Sequence, residues 1–118
     1  MTTNNTEEQW YGQVRKGILE YTVFSILQNG ENYGYAILQK ISEYPSMKNV
    51  TESAVYPVLA RSVKEGLISS KKISSESGGP PRNYFALQAK GRIKLAYMKN
   101  YIHKLQKDLE NINTDYES

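Results

Sequence analysis

Apolar residues recur along this chain with a helical period near both ends and with a different period in between. Residues 8–28 carry two apolar stripes at helical spacing and stop at Asn29–Gly30, a helix C-cap signal. The stripes are Val14, Ile18 and Tyr21, and Leu19, Val23, Ile26 and Leu27. A helix that is apolar over most of its circumference must be covered on more than one side. In so short a chain, a second subunit is a natural cover.

A second helix is predicted after this stop. It opens with Asn-Tyr-Gly-Tyr at residues 32–35 and ends before Pro45, because a proline disfavours helix at the residue that precedes it. Its residues at core spacing are Ile37, Leu38 and Ile41.

A third helix is predicted within residues 51–66. Thr51 or Ser53 is expected to cap its start. Pro57 cannot donate to the carbonyl four residues earlier, so either the helix begins near Ser53 or its first turn is distorted. Its inner stripe is Val55, Leu59 and Val63, with Val58 beside it.

After residue 66 the period changes to that of β-strands. Residues 67–73 and 83–87 are predicted strands, and the segment between them, 74–82, is rich in serine, glycine and proline, which favour turns. Three helices followed by a β-hairpin is the element order of a winged helix-turn-helix.

The last segment, residues 89–112, carries a heptad seam. Its apolar positions are separated by 3, 4, 3, 4 and 3 residues, which is typical of a helix that pairs with another helix. They are Leu95, Met98, Ile102, Leu105, Leu109 and Ile112. The same stripe would suit packing on its own domain alone. A helix this long extends beyond so small a body, however, which favours dimerisation.

Together these elements predict a mostly α protein with a small β-hairpin. We expect a winged helix-turn-helix at residues 8–88, a C-terminal dimerisation helix at 89–113, and flexible tails at 1–7 and 114–118. A chain of 118 residues makes one domain with a modest core, which a partner surface would enlarge.

Basic residues are concentrated in the middle of the chain. Residues 40–107 contain 13 lysines and arginines but four acidic residues, although the net charge of the whole chain is only +3. Residues 108–118 contain acidic residues and no basic one. This distribution suggests a polyanion partner for one surface. The alternative is a solvated basic face without a partner.

Few residues suit catalysis or metal binding. The chain has no cysteine, which excludes disulfides and thiolate metal sites and fits a reducing compartment. His103 is the only histidine, and no catalytic triad or phosphate-binding loop is evident. No apolar run approaches the roughly 20 residues that span a bilayer, and the first residues lack a signal-peptide pattern. We expect a cytoplasmic protein without enzymatic activity, cofactor, metal or membrane partner.

The third helix and the hairpin are the main functional candidate, with DNA as the expected partner. A helix in the major groove contacts base edges with its N-terminal residues, while flanking groups hold phosphates. Ser53, Ala54 and Tyr56 lie at the helix start, and Lys71 and Lys72 precede the hairpin loop. Tyr56 would also suit a core position. The predicted DNA-binding residues are Tyr35, Thr51, Ser53, Ala54, Tyr56, Arg61, Lys64, Lys71, Lys72 and Arg82.

Aromatic residues form a second candidate site. Tyrosine supplies 10 of the 118 residues. Trp10 and Tyr11 lie near the start of the first helix, and Tyr97 and Tyr101 form an i, i+4 pair on the last helix. Such side chains from paired helices could line a pocket for a small planar aromatic effector. Plain packing in a dimer interface would explain them equally well.

Several ordered motifs resemble the PadR family of bacterial transcription regulators, over residues 14–91. They are Arg-Lys-Gly-Ile-Leu-Glu at 15–20, Tyr-Gly-Tyr at 33–35, Val-Tyr-Pro-Val-Leu-Ala-Arg at 55–61, Lys-Glu-Gly-Leu-Ile at 64–68, Gly-Pro-Pro-Arg-Asn-Tyr-Phe-Ala-Leu at 79–87, and Gly91. The resemblance implies a homodimer held by the last helix together with the first, which binds inverted-repeat operators, usually as a repressor. The single C-terminal helix is similar to the family's short subgroup, and some relatives bind phenolic compounds or drugs.

Three positions depart from the family pattern. Threonine is usual where this chain has Ala54, so a hydroxyl near the DNA-facing helix start is missing. Leucine is usual at Ser62, so either the packing is looser there or the hydroxyl bonds to the preceding turn. Gln88 replaces a common threonine, which removes a cap from the last helix.

The expected function is therefore a dimeric DNA-binding transcriptional regulator, a repressor that a small planar aromatic ligand would release. In a symmetric dimer the two recognition helices would face successive major grooves, about 34 Å apart. The alternative is a winged-helix module that binds protein rather than DNA. The missing hydroxyl at Ala54 leaves room for this alternative, whereas the basic bias and the hairpin lysines argue against it.

Overall fold

The structure, a computed structural model, describes residues 5–75 and 77–117. In chain order its elements are α1 (Asn5–Leu27), β1 (Asn32–Tyr33), α2 (Gly34–Ser42), a 3₁₀ turn (Pro45–Met47), α3 (Glu52–Lys64), β2 (Ile68–Ile73), β3 (Arg82–Leu87) and α4 (Ala89–Glu117). The three strands form one antiparallel sheet in the order β1–β3–β2. The predicted fold class, a mostly α winged helix-turn-helix with a long C-terminal helix, is confirmed.

The two terminal helices are longer than the sequence pattern predicted. Residues 5–7 belong to α1, where Glu7 and Glu8 in the first turn suit the positive end of the helix dipole. Residues 114–117 continue α4 beyond the last apolar position. The Asn113 and Thr114 side chains donate to carbonyls four residues earlier, at 2.8 and 2.9 Å. Residues 1–4 and 118 of the predicted tails lie outside the described residues.

The two-residue strand β1 was not predicted from the sequence. Residues 32–33 were expected to open the second helix, but α2 begins at Gly34. Asn32 pairs instead with Phe85, and Tyr33 pairs with Tyr84, in the outer position of the sheet. A segment of two residues is too short to show the alternation of a strand. It is recognised as a strand only by its pairing with β3, which is distant in the sequence.

The hydrophobic core lies between the first three helices and the sheet. Its fully buried members include Phe24 of α1, Ile37 of α2, Leu59 of α3 and Ile68 of β2. Among the described residues of α4, Leu95 is the hydrophobic side chain that is buried in this core. A helix of this length spans about 43 Å, and the longest dimension of the molecule is 61 Å. Most of α4 therefore projects from the body of the domain.

The start of α3 differs from the expected capping. The helix begins at Glu52 with Thr51 in the cap position, but the Thr51 side chain makes no cap hydrogen bond. The Thr51 and Ser53 hydroxyls lie 3.0 Å apart and bond to each other. Pro57 lies inside the helix, which begins at Glu52, one residue before the start expected near Ser53.

A Schellman turn ends α3 and directs the chain into β2. Gly66 has a φ of 75°, in the left-handed region that favours glycine. Its amide donates to the Val63 carbonyl at 3.0 Å, and the Leu67 amide donates to the Ser62 carbonyl at 2.9 Å. This turn sets the position of the hairpin relative to α3.

Ser62 lies on the buried face of α3. It is 0% exposed, and its hydroxyl has no hydrogen-bond partner in the part of the chain that the structure describes. Of the two alternatives that the sequence left open at this position, the bond to the preceding turn is therefore not formed. Ser25 of α1, by contrast, donates to the Tyr21 carbonyl at 2.8 Å. A buried hydroxyl without a partner costs about 1 to 3 kcal/mol.

We expect Ser62→Ala to raise the free energy of unfolding by about 1 kcal/mol, because it removes a buried polar group that forms no bond. Urea denaturation at fixed protein concentration measures the change. Ser25→Ala is the matched control, since it brings the same helix propensity but loses a formed hydrogen bond. A Ser62→Ala protein less stable than the Ser25→Ala protein would contradict this account.

Candidate nucleic-acid interface

Helix α3 presents one face directly to solvent. Val55, Leu59 and Ser62 are buried on its inner side. At about 100° per residue, the exposed positions opposite to them form a single row. They are Ser53, Pro57, Ala60 and Lys64. Ser53 and Lys64 were predicted site residues, whereas Pro57 and Ala60 were not, although their position opposite the inner stripe could have been inferred from the sequence.

Tyr56 and Ala54 lie on opposite flanks of this row. Tyr56 faces α2, where a Cβ on Gly34 would lie 2.6 Å from Cε1 and 2.7 Å from the hydroxyl of the tyrosine. Only glycine at position 34 allows the ring to pack this closely. Tyr56 nevertheless remains 41% exposed, so it is not a core residue. The ring is held in place while one side stays accessible.

Tyr56 shares a shallow cleft of about 320 Å³ with the start of α2 and of β3. Tyr35 and Arg82 also line this cleft. The Arg82 guanidinium lies 4.4 Å from the centroid of the Tyr33 ring, a cation–π contact that fixes its position. The Tyr35 hydroxyl accepts a hydrogen bond from the Gln39 amide at 2.8 Å. Three of the predicted DNA-binding residues, Tyr35, Tyr56 and Arg82, are thus brought together.

The two hairpin lysines point to opposite faces of the sheet. Lys71 is paired with Tyr84, and Lys72 with Asn83, and adjacent residues of a strand alternate between the faces. Lys71 therefore shares a face with Arg82, whereas Lys72 lies on the face that carries the buried Phe85. Both lysines are exposed. The sequence predicted both lysines for one DNA-contacting surface, but the strand register places them on opposite faces of the sheet.

The remaining predicted DNA-binding residues lie near α1. Thr51, Ala54 and Arg61 line a second cleft, between the first turn of α3 and the middle of α1. All three are exposed. Helix α3 is therefore flanked by the hairpin and α2 on one side and by α1 on the other.

The heptad seam of α4 divides into a covered and an uncovered half. Leu95 is 7% exposed, and Met98 packs against the core. Leu105, Leu109 and Ile112 are 38%, 49% and 51% exposed. The first half of the seam therefore packs on its own domain, whereas the second half is uncovered.

An apolar cleft of about 630 Å³ lies between α1 and α4. Of the predicted interface residues, Val14, Ile18, Tyr21, Met98, Ile102 and Leu105 line it. Tyr97 and Tyr101, two of the four predicted effector residues, also line it. Trp10 and Tyr11 are not among its lining residues, and their ring centroids lie 6.1 Å apart on α1.

One ion pair ties α4 to α1 beside this cleft. The Lys94 ammonium donates to the Glu20 carboxylate at 2.9 Å. This hydrogen bond raises the pKa of Lys94 above its ordinary value, against the opposing effect of burial. Lys94 therefore remains protonated at neutral pH. On α1, the hydrogen bond from Tyr11 to Glu7 likewise raises the pKa of the tyrosine.

Among the described residues, no group of histidine, cysteine, aspartate or glutamate side chains could hold a metal ion. Within the same residues, no helix is both long and apolar enough to cross a membrane.

Comparison with known proteins identifies the family. The sequence profile of the transcriptional regulator PadR-like family matches residues 23–97, more than half of the chain. The chain belongs to the PadR-like family. No curated protein matches it in sequence.

Solved structures show the same relationship. A PadR-like transcription factor from Bacteroides fragilis is 33% identical, with a TM-score of 0.71 over 86% of this chain and 95% of that chain. A PadR-like transcriptional regulator from Bacillus cereus is 31% identical, with a TM-score of 0.76 over 85% of this chain and 95% of that chain. PadR of Bacillus subtilis, solved in complex with operator DNA, is 23% identical, with a TM-score of 0.62 over 69% of this chain and 46% of that chain. This last likeness shows a shared fold.

Two of the departures noted in the sequence have a visible outcome in this PadR-like structure. Ala54 is exposed at the first turn of α3, where its methyl group offers no hydrogen bond. Gln88 occupies the position before α4, but its side-chain amide donates to the Ala86 carbonyl at 3.4 Å. Its main chain instead donates to the Leu67 carbonyl and accepts from the Arg92 amide, at 3.0 and 2.9 Å. The start of α4 is thus tied through the backbone to Leu67, the residue before β2.

Proposed function

We propose that this PadR-like protein is a homodimeric transcriptional regulator, a repressor that binds an inverted-repeat operator in the cytoplasm. The observation that carries the proposal is the grouping of Tyr35, Tyr56 and Arg82 beside the outward row of α3. The family consists of transcriptional regulators, and one protein that shares the fold was solved with operator DNA. Both facts support DNA as the partner.

The proposed complex places the outward row of α3 in the major groove. Small side chains at Pro57 and Ala60 allow the helix to approach the base edges closely, and apolar groups of this kind suit thymine methyl groups. The Tyr35 and Tyr56 hydroxyls, together with Arg82, would hold a phosphate on the hairpin side. Lys71 and Lys72 would contact the backbone or the adjacent minor groove from either face of the hairpin.

The proposed dimer covers the exposed half of the α4 seam. Contiguous apolar side chains on a surface mark interaction sites, and Leu105, Leu109 and Ile112 are all exposed. The alternating spacing of 3 and 4 residues along the seam suits a partner helix. A two-fold symmetric dimer presents two copies of α3, so the operator would be an inverted repeat with half-sites about 34 Å apart.

A small planar aromatic ligand would occupy the α1–α4 cleft of this regulator and release it from DNA. The cleft is mainly apolar and contains Tyr97 and Tyr101, whose rings suit an aromatic ligand. The DNA-binding assay below, repeated with a panel of planar aromatic compounds, tests this part. Unchanged DNA affinity across the panel would remove the ligand from the proposal.

We expect Tyr56→Ala, and separately the double charge reversal of Lys71 and Lys72 to glutamate, to abolish specific DNA binding without dissociating the dimer. The tyrosine variant loses an aromatic side chain that packs on α2 and that the proposed complex places at the edge of the DNA major groove. The lysine variant loses two phosphate contacts and brings two negative charges to the same positions, which repel the DNA backbone. Fluorescence anisotropy, with a DNA fragment that the wild type selects from a genomic library, measures both.

Reversal of Lys104 and Lys107 to glutamate is the matched control. It makes the same change in net charge on exposed positions of α4 outside the heptad seam. This control should keep its affinity for the selected fragment. Wild-type affinity in both the Tyr56 and the Lys71/Lys72 variants would refute the site. If the wild type shows no salt-sensitive binding to any genomic fragment, the protein-binding module is the correct alternative.

A further inference from the structure

The cleft on the α1 side of α3 carries positive charge from α1 in addition to that of Arg61, a predicted DNA-binding residue. It has a volume of about 520 Å³ and is lined from α1 by Gly12, Arg15, Lys16 and Leu19. From the chain before and within α3, its polar lining residues are Asn49, Thr51, Ser53 and Arg61. Two distant segments of the chain thus bring three cationic side chains to one cleft.

Two of these three cations are free to bind a partner. Lys16 and Arg61 are exposed and have no ion-pair partner among the described residues. Arg15 is different, because it is paired with Glu8 and its side chain is 16% exposed. No acidic residue lines the cleft. The cleft therefore offers two unpaired positive charges to an anion.

The cleft is continuous with the outward row of α3. Ser53 and Pro57 belong both to that row and to the lining of the cleft. A helix in a DNA groove has a phosphate backbone on each side of it, about 12 Å apart across the major groove. Tyr56, Arg82 and the hairpin supply contacts to one backbone only. The opposite flank of α3 is formed by Arg61 and α1.

We propose that Lys16 of α1, together with Arg61, contacts the DNA backbone on the side of α3 opposite the hairpin. This inference rests on the proposed DNA-binding function, and it adds a contact to the second phosphate backbone that borders the major groove. Helix α1 is then part of the DNA-binding surface as well as of the proposed dimer. Arg15 is not part of the proposed contact, because it is paired with Glu8.

Neutral variants test the proposal through the salt dependence of binding. Lys16→Gln should lower the affinity for the selected DNA fragment and reduce the slope of log K against log salt by about one. Lys16→Gln combined with Arg61→Gln should reduce the slope by about two. Lys104→Gln, which removes one exposed lysine of α4, should leave the slope unchanged. Circular dichroism and urea denaturation check that the variants are folded.

The salt dependence of the wild type tests the proposed DNA-binding function, and that of Lys16→Gln tests the contact from α1. If the wild type binds its fragment with a steep salt dependence but Lys16→Gln has the wild-type slope, the contact from α1 is refuted and the proposed function stands. If inorganic phosphate raises the melting temperature of the wild type but not of Lys16→Gln, while both have the same DNA slope, the cleft holds a free anion and the proposed contact is wrong. If the wild type binds no DNA, both proposals fail.

Discussion

Gly91→Ala is expected to lower the free energy of unfolding by about 3 kcal/mol or more, the largest loss of stability that a single methyl group should cause in this protein. A Cβ at this position would lie 2.1 Å from the carbonyl oxygen of Leu67 and 3.0 Å from its carbonyl carbon. Both are backbone atoms, so no side-chain rotation relieves the contact. The same carbonyl already accepts the Gln88 amide at 3.0 Å.

Relief of this clash requires α4 to move away from the Leu67 backbone. That movement would stretch the Gln88 hydrogen bond and withdraw Leu95, the residue through which α4 enters the core. Urea denaturation of the purified variant measures the loss. Gly12→Ala is the control, since its new methyl group meets only the Arg15 side chain at an ordinary 3.8 Å, and helix propensity should stabilise it by up to about 1 kcal/mol. Equal stability of the two variants would contradict the close approach at Gly91.

The helices and the hairpin could be predicted from the sequence because their apolar residues keep a regular period. The period also placed the inner stripe of α3 correctly, with Val55 and Leu59 buried. It could not show why Gly91 or Gly34 must be glycine. Each lies against a residue far away in the sequence, Leu67 or Tyr56, and only the packed structure brings the pair together.

The candidate site was predicted as a set of residues rather than as an arrangement. Position along the chain grouped Ala54 with Tyr56, but a helix turns by slightly more than half a circle over two residues, so they face opposite flanks of α3. Lys71 and Lys72 are separated for a similar reason, because a strand alternates its side chains. Lys16 was noted only within a family motif. Its closeness to Arg61 depends on how α1 packs against α3, which no local pattern reveals.

The α4 seam shows a third limit of sequence patterns. Its heptad spacing is regular, yet Leu95 is buried in the domain whereas Leu109 is 49% exposed. A regular apolar spacing indicates that one face of a helix is covered. It does not indicate whether the cover is the same domain or a second subunit. The shape of the domain decides this, since α4 extends beyond the other elements.

Leu109→Glu is therefore expected to dissociate the proposed dimer while each domain stays folded. In an isolated subunit the substitution is mild, because Leu109 makes no contribution to the described core and glutamate is a good helix former. In a paired seam it would bury one uncompensated charge from each subunit, which costs several kcal/mol. Size-exclusion chromatography with light scattering measures the mass. Affinity for the selected DNA fragment should fall by about 100-fold or more, because two linked half-site contacts become independent.

Asn111→Glu is the matched control for this loss. It introduces the same charge two residues away, at an exposed position of α4 outside the heptad seam. We expect it to remain dimeric and to bind the fragment as the wild type does. A wild type that is monomeric at micromolar concentration, or a Leu109→Glu protein that remains dimeric, would show that the uncovered seam is not the interface.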